Sequence, residues 1–176
     1  SYKRNITKKK KILIVAGNFL GEDYMVSGNF KLPDILTLDL LIYTYNITQK
    51  FGFDVYLKPH PKGIKRKKFT EIKNLKIYDS PLIGEKNDFD CYVFEFAGSA
   101  FYDSLFTNKG IVLLDTKIRK WFDPSKDVLL DRCNIVDTYI DKQNWIRFKR
   151  SHYNEALNKA ISFIIPEKKI SYLYGK

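Results

Sequence analysis

Apolar runs of strand length alternate with helix-length segments along the 176 residues of this chain. The first run, residues 11–16, is apolar after its initial lysine and stops at Gly17. Unbroken apolar runs are typical of strands that are buried on both faces of a parallel sheet. Further runs, of which 75–78 is the weakest, occupy residues 53–58, 75–78, 90–96, 110–115 and 131–136. The alternation predicts an α/β fold, a Rossmann-like parallel sheet of about six strands flanked by helices.

Helix signals lie between and after these runs. Asp34 can cap a first helix, and Ser99 can cap a second one that extends to about residue 108. Asp141 can cap a short helix that continues through Arg150. The last segment carries an apolar stripe at helical spacing, which predicts core packing and no chemistry; its members are Tyr153, Ala156, Leu157, Ala160, Ile161 and Ile164.

Length and composition predict a single domain over residues 1–176, with a basic N-terminal extension (1–10) and a C-terminal tail (167–176). No run of eighteen apolar residues occurs, which argues against a membrane span. The first residue is not Met, and we expect a fragment of a longer polypeptide. Cys91 and Cys133 are expected to be buried thiols in a reducing, cytoplasmic compartment, and their spacing indicates no structural metal.

The formal net charge of +11 is concentrated in two clusters, residues 3–11 and 62–68. Clustered basic charge attracts anionic partners such as nucleic acid, a lipid surface or a phosphorylated substrate. A solvated lysine-rich face is the alternative interpretation of the first cluster. Nucleic acid is disfavoured, because the basic residues are not interleaved with aromatic ones in a recognisable binding motif.

A histidine between two prolines follows the second apolar run. Pro59 and Pro61 end that strand abruptly, and this places His60 at the rim formed by the carboxyl ends of the strands. Ligands of open α/β sheets bind at this rim. His60 is therefore a candidate phosphate ligand, with Lys58 and Lys62 as counter-charges, and the alternative is an ordinary histidine in a proline-rich turn.

A second candidate element is the junction of the run 90–96 with the helix that follows it. Gly98 permits a tight turn there, and Ser99 adds a hydroxyl to the free backbone N–H groups of a helix start. These groups are expected to face the same rim as His60. The alternative interpretation is a capped helix without a ligand.

Three segments in order carry a resemblance to a known class of enzymes. They are Lys58-Pro-His-Pro61, then Phe89-Asp-Cys-Tyr-Val-Phe-Glu-Phe-Ala-Gly-Ser-Ala-Phe-Tyr-Asp103, then Asn108-Lys-Gly-Ile-Val-Leu-Leu-Asp115. This order resembles the C-terminal, donor-binding half of GT-B glycosyltransferases that build bacterial surface polysaccharides. The class includes CDP-glycerol glycerophosphotransferases, Kdo transferases, and sialyl- and polysialyltransferases. The resemblance covers roughly residues 11–136.

The resemblance implies a site for a CMP- or CDP-activated sugar that works without a metal ion or other cofactor. A His-Pro pair and a later Ser-Ser or Ser-Ala pair hold the nucleotide phosphate in this class; here they correspond to His60-Pro61 and Ser99-Ala100. Glu95 matches an acidic position before the serine motif and is a candidate catalytic residue, and Asp103 matches an acidic position one helical turn later. The residues expected to bind the donor are Gly17, Lys58, His60, Pro61, Lys62, Gly98, Ser99, Ala100 and Asp103.

The chain departs from the class in two respects. One serine stands where a pair is usual, and one Rossmann-like domain stands where GT-B enzymes have two. The resemblance therefore implies that a carbohydrate acceptor and an N-terminal acceptor domain are missing partners, and that the isolated chain is inactive. It also implies a cytoplasmic protein, apposed to the inner membrane through its basic clusters. A non-catalytic Rossmann-like module for an anionic partner and a charge-driven nucleic-acid-binding domain remain as alternatives.

Overall fold

The computed structural model describes residues 9–17, 19, 32–61, 74–82, 88–117 and 129–163. These ranges contain six strands and three helices. In chain order they are β1 (Lys11–Val15), α1 (Asp34–Lys50), β2 (Asp54–Lys58), β3 (Cys91–Phe94), α2 (Ser99–Ser104), β4 (Gly110–Asp115), β5 (Asn134–Ile140), β6 (Ile146–Phe148) and α3 (Arg150–Ile161). No described helix is long and apolar enough to cross a membrane.

The strands form one sheet in the order β2-β1-β3-β4-β5-β6. The first five are mutually parallel, and β6 pairs antiparallel with β5. The predicted Rossmann-like α/β fold is confirmed. The order of the strands in the sheet differs from their order in the chain at β1, because β2 lies on one side of β1 and β3 lies on the other. The crevice outside the carboxyl ends of β1 and β3 is thus the topological switch point, where doubly wound sheets bind ligands.

Both faces of the sheet are covered, and this explains the unbroken apolar runs. Successive side chains of a strand point to opposite faces. Accordingly, Ile12 and Ile14 join a core that includes residues of α1 and α3, whereas Leu13 and Val15 join a second core that includes Phe101 of α2. The stripe predicted for the last helix is also confirmed over the described residues, since Tyr153, Ala156, Leu157 and Ala160 are buried.

The sixth strand is not the one predicted. The weak run 75–78 contributes only an isolated parallel bridge between Ile77 and Leu57, beyond the edge strand β2. The additional strand is β6, in the segment for which a helix capped by Asp141 was predicted. That prediction is wrong because Asp141 closes a hairpin instead: its Oδ1 accepts hydrogen bonds from the backbone N–H groups of Gln143 and Trp145, both at 2.9 Å.

The second helix is shorter than predicted and ends at Ser104. Beyond it, the chain turns around the Arg132 guanidinium, which donates hydrogen bonds to the carbonyl oxygens of Leu105 (2.8 Å), Thr107 (2.6 Å) and Lys109 (2.9 Å). These carbonyls are satisfied by a distant side chain, so the helix does not need to continue to satisfy them.

The predicted caps of the first two helices are each displaced by one residue. The N-cap of α2 is Gly98 rather than Ser99, and that of α1 is Pro33 rather than Asp34, in neither case with a side-chain cap hydrogen bond. Cys91 and Cys133 are free and buried, as predicted, and burial raises the pKa of both thiols. Residues 1–8, the whole basic cluster 62–68 and the tail 167–176 lie outside the described residues.

Candidate functional site

A cavity of about 230 Å³ lies at the switch point. Its walls come from the residues that end or follow β1 and β3, from His60 after β2, and from the start of α2. The lining residues are Val15, Ala16, Gly17, Leu32, Thr37, His60, Phe94, Glu95, Phe96, Gly98, Ser99, Ala100 and Phe101. The cavity is smaller than typical sites for drug-sized ligands, and it has room for one group such as a phosphate, a pyrimidine ring or a sugar.

Six of the residues proposed from the sequence line this cavity. They are Gly17, His60, Glu95, Gly98, Ser99 and Ala100. Two elements separated in sequence, the turn after β2 and the junction after β3, therefore face one space. The two elements meet because the chain crosses over β1 between β2 and β3. The carboxyl ends of β2 and β3 therefore lie on either side of the carboxyl end of β1.

The other proposed residues are placed elsewhere. Lys58 directs its ammonium group to the carbonyl oxygen of Ser80 at 2.6 Å, and its Nζ lies 5.6 Å from the centroid of the Tyr78 ring. Desolvation by burial lowers the pKa of Lys58, and Asp79 opposes this effect. Asp103 is exposed on α2 and does not line the cavity, and neither does the exposed Pro61. Lys62 lies outside the described residues.

Glu95 is the buried acid of the cavity. Its side chain bridges the switch point: Oε1 accepts a hydrogen bond from the backbone N–H of Gly17 at 2.8 Å. The residue is only 7% exposed, and its Oε2 is buried without a hydrogen-bond partner among the described residues. Burial raises the pKa of Glu95 from 4.5 to about 8, against the opposing effect of the Gly17 N–H. The carboxyl group is therefore largely protonated at neutral pH.

The start of α2 contributes less than its sequence suggested. The helix has six residues, so its dipole is short, and its N-terminus alone does not make an anion site. Gly98 has a φ of −95°, which any residue can adopt. A Cβ atom at this position would lie 3.2 Å from Cδ1 of Phe96, so a larger residue would require the Phe96 side chain to shift by a few tenths of an ångström.

Sequence reasoning missed the apolar wall of the cavity and one hydroxyl. Phe94, Phe96, Phe101 and Leu32 line the wall, and Thr37 adds its side chain from the first turns of α1. Thr37 could have been found from its position, since the helix that follows the first strand of a Rossmann-like unit begins at the ligand rim. No group of His, Cys, Asp and Glu side chains that could hold a metal ion occurs among the described residues.

The protein is thus a Rossmann-like α/β domain with a small cavity at its switch point. The cavity is lined by the imidazole of His60, the hydroxyl-bearing residues Thr37 and Ser99, and the largely neutral carboxyl group of Glu95. Such a set can bind a ligand through hydrogen bonds. The chain shows no significant match to protein-family models, to curated proteins or to solved structures. The resemblance to GT-B glycosyltransferases thus stays a prediction that depends on the short motifs around His60 and Ser99.

Proposed function

We propose that this chain is the donor-binding domain of a bacterial surface or capsular polysaccharide glycosyltransferase. Its donor is a CMP- or CDP-activated sugar, bound without a metal ion. The observation that supports this proposal is the meeting of His60 with Gly98, Ser99 and Ala100 around one cavity at the switch point. These are the residues whose motifs carry the resemblance, and His60 is 38 or more positions from the other three in the sequence.

In this proposal the cavity holds the phosphate of the donor nucleotide. His60 and the Ser99 hydroxyl bind the phosphate and stabilise its negative charge as it leaves the sugar. Lys58 is not part of this set, because its ammonium group is bonded to the Ser80 carbonyl. The acceptor is a carbohydrate held by another domain, and the enzyme acts in the cytoplasm at the inner membrane, to which its basic clusters are attracted.

Thermal-shift measurements against CMP, CDP, UMP, UDP and a short DNA duplex separate this proposal from its alternatives. A nucleotide that binds only the folded state stabilises it by RT ln(1 + c/Kd), where c is the free nucleotide concentration, so the melting temperature rises with that concentration. Stabilisation by the cytidine nucleotides supports the donor site. Salt-sensitive stabilisation by the duplex alone would indicate a charge-driven nucleic-acid-binding domain, and stabilisation by none would favour a binding module for another anionic partner.

The His60→Ala variant is expected to bind CMP more weakly by about 1.5–3 kcal/mol, a loss of roughly 10- to 150-fold in affinity. This is the range for a hydrogen bond to a charged group. Isothermal titration calorimetry at pH 7 measures it. The matched control is His152→Ala, because His152 is the only other histidine of the chain and is exposed on α3. Equal affinity of the two variants, both folded, would remove His60 from the site.

The isolated 176 residues are expected to transfer no sugar. Glycosyl transfer needs a base near the acceptor hydroxyl, and neither acid proposed from the sequence fits that role: Glu95 is buried and largely protonated, and Asp103 is exposed away from the cavity. Consumption of CMP- or CDP-sugar with an added acceptor is the measurement. Steady transfer that is abolished by Glu95→Gln or Asp103→Asn would contradict this expectation.

A further inference from the structure

The unpartnered oxygen of Glu95 requires an explanation. In folded proteins nearly every buried polar atom has a hydrogen-bond partner, and a buried atom without one costs free energy. Oε2 of Glu95 is such an atom, and the described chain supplies it with no partner. The side chain lines the switch-point cavity, so a molecule bound there is the available source of a partner.

The surroundings of Glu95 favour the protonated carboxyl. Among the described lining residues, β1 is followed by Gly17, α1 brings Thr37, the end of β2 brings His60, and α2 brings Ser99. His60 is the only other titratable group among them, and Lys58 of β2 is bonded to Ser80 instead. Within the described part of the chain, a carboxylate at this position would be compensated by the Gly17 N–H alone, and burial of a charge so weakly compensated is unfavourable.

The position of the proton follows from the one hydrogen bond that Glu95 makes with the described residues. Oε1 accepts the Gly17 N–H, and an oxygen that accepts in this way is the carbonyl oxygen of a neutral carboxyl group. Oε2 then carries the proton and has a hydrogen bond to donate. We propose that Glu95 selects the ligand of this cavity by donating a hydrogen bond from Oε2 to an oxygen acceptor of the bound nucleotide. This inference deepens the proposed function and rests on it for the identity of the ligand.

Proton-dependent binding follows. Loss of the proton removes the donor and places a negative charge beside the phosphate, so affinity falls as pH rises past the titration of Glu95. The phosphate of CMP completes its own second ionisation near pH 6, below a window from pH 7.5 to 9.5. The His60→Ala variant lacks the imidazole, so an alkaline slope that it retains in this window is assigned to Glu95.

The test is calorimetric titration of CMP, cytidine and inorganic phosphate into the wild type, Glu95→Gln, Glu95→Ala and His60→Ala between pH 7 and 9.5. The wild type is expected to lose about 10-fold in CMP affinity from pH 7 to pH 9.

The variants separate donation from titration. Glu95→Gln is expected to bind CMP within about 3-fold of the wild type at pH 7 and to show no dependence of affinity on pH, since its amide donates from the same place without titrating. Glu95→Ala is expected to lose about 10-fold at pH 7, because it has no donor. His60→Ala is expected to bind more weakly but to keep the alkaline slope.

Phosphate and cytidine locate the acceptor: a slope shared by CMP and phosphate assigns it to the phosphate, and one shared by CMP and cytidine assigns it to the nucleoside. Equal losses in Glu95→Gln and Glu95→Ala at pH 7 would overturn the inference, because they would mean that Glu95 accepts rather than donates. Wild-type CMP affinity in both Glu95→Gln and Glu95→Ala would also overturn the inference, although the proposed nucleotide site would stand. If the wild type binds none of the three probes, the proposed function fails together with the inference. Circular dichroism of each variant verifies its fold.

Discussion

The Glu95→Gln variant is expected to be more stable than the wild-type protein at pH 9, by roughly 3–5 kcal/mol, and about equally stable near pH 4.5. Glutamine has the size and shape of the protonated glutamic acid. It keeps an acceptor for the Gly17 N–H and does not titrate. The difference in the free energy of unfolding between the two proteins therefore measures the free-energy cost of ionising the buried carboxyl group of Glu95.

The sign of the effect follows from the direction of the pKa shift. Burial raises the pKa of Glu95 from 4.5 to about 8, so between these values the folded protein holds a proton that the unfolded chain has lost. The contribution of Glu95 to stability is therefore fully present below pH 4.5, and it is lost as the pH rises to about 8. Glu95→Gln is expected to lack this decline.

Urea unfolding of both proteins at pH 5, 7 and 9 measures the effect. Glu155→Gln is the matched control: Glu155 is exposed on α3, and its ion pair with Lys159 at 2.7 Å lowers its pKa. The control is expected to follow the wild-type profile above pH 5. Parallel profiles of the wild type and Glu95→Gln from pH 5 to 9 would show that the carboxyl is ionised at neutral pH and would contradict the assigned protonation state.

The Gly110→Ala variant is expected to lose about 3 kcal/mol or more in its free energy of unfolding. Gly110 begins β4 directly beneath α3, and a Cβ atom at this position would overlap the carbonyl oxygen of Ala160. No side-chain rotation relieves that clash, because the obstructing atom belongs to the backbone of a helix whose residues Tyr153, Leu157 and Ala160 are buried in the core. The helix must move away from the sheet, and its buried contacts are then partly lost.

Gly52→Ala provides the comparison for Gly110→Ala. Gly52 has a φ of +90°, but a Cβ atom there would meet no heavy atom within 4 Å. Its substitution is expected to cost only about 1 kcal/mol, the penalty for a left-handed backbone. Urea unfolding at pH 7 measures both variants. A smaller loss for Gly110→Ala than for Gly52→Ala would mean that α3 does not pack against the start of β4.

Much of the sheet could be predicted from the sequence because parallel strands are buried on both faces. The run 110–115 corresponds in full to β4 (Gly110–Asp115), and the runs around β1, β2 and β3 differ from the observed strands by one or two residues at their ends. The C-terminal hairpin could not be predicted in this way. An aspartate can cap a helix or close a turn, and only the pairing of β6 with β5 decides between these roles for Asp141.

Within the site, local signals located the residues that end strands and begin helices. Proline stops a strand and glycine with serine marks a junction, so His60 and Ser99 were assigned to the rim from their neighbours alone. The direction of a side chain at the rim is a different matter. Lys58 lies two residues before His60 in the sequence, yet its ammonium group is bonded to Ser80, in a segment that pairs with β2 through a single bridge.

The sequence by itself determined the class of fold and the rim at which a ligand can bind, because periodicity, prolines and glycines act locally. Only the tertiary structure decided that Glu95 holds a proton. That state depends on burial by residues from several strands and helices, which outweighs the opposing hydrogen bond from the Gly17 N–H, 78 positions away in the chain. Desolvation and hydrogen bonding of a carboxyl group are properties of its three-dimensional surroundings, which no local pattern of residues records.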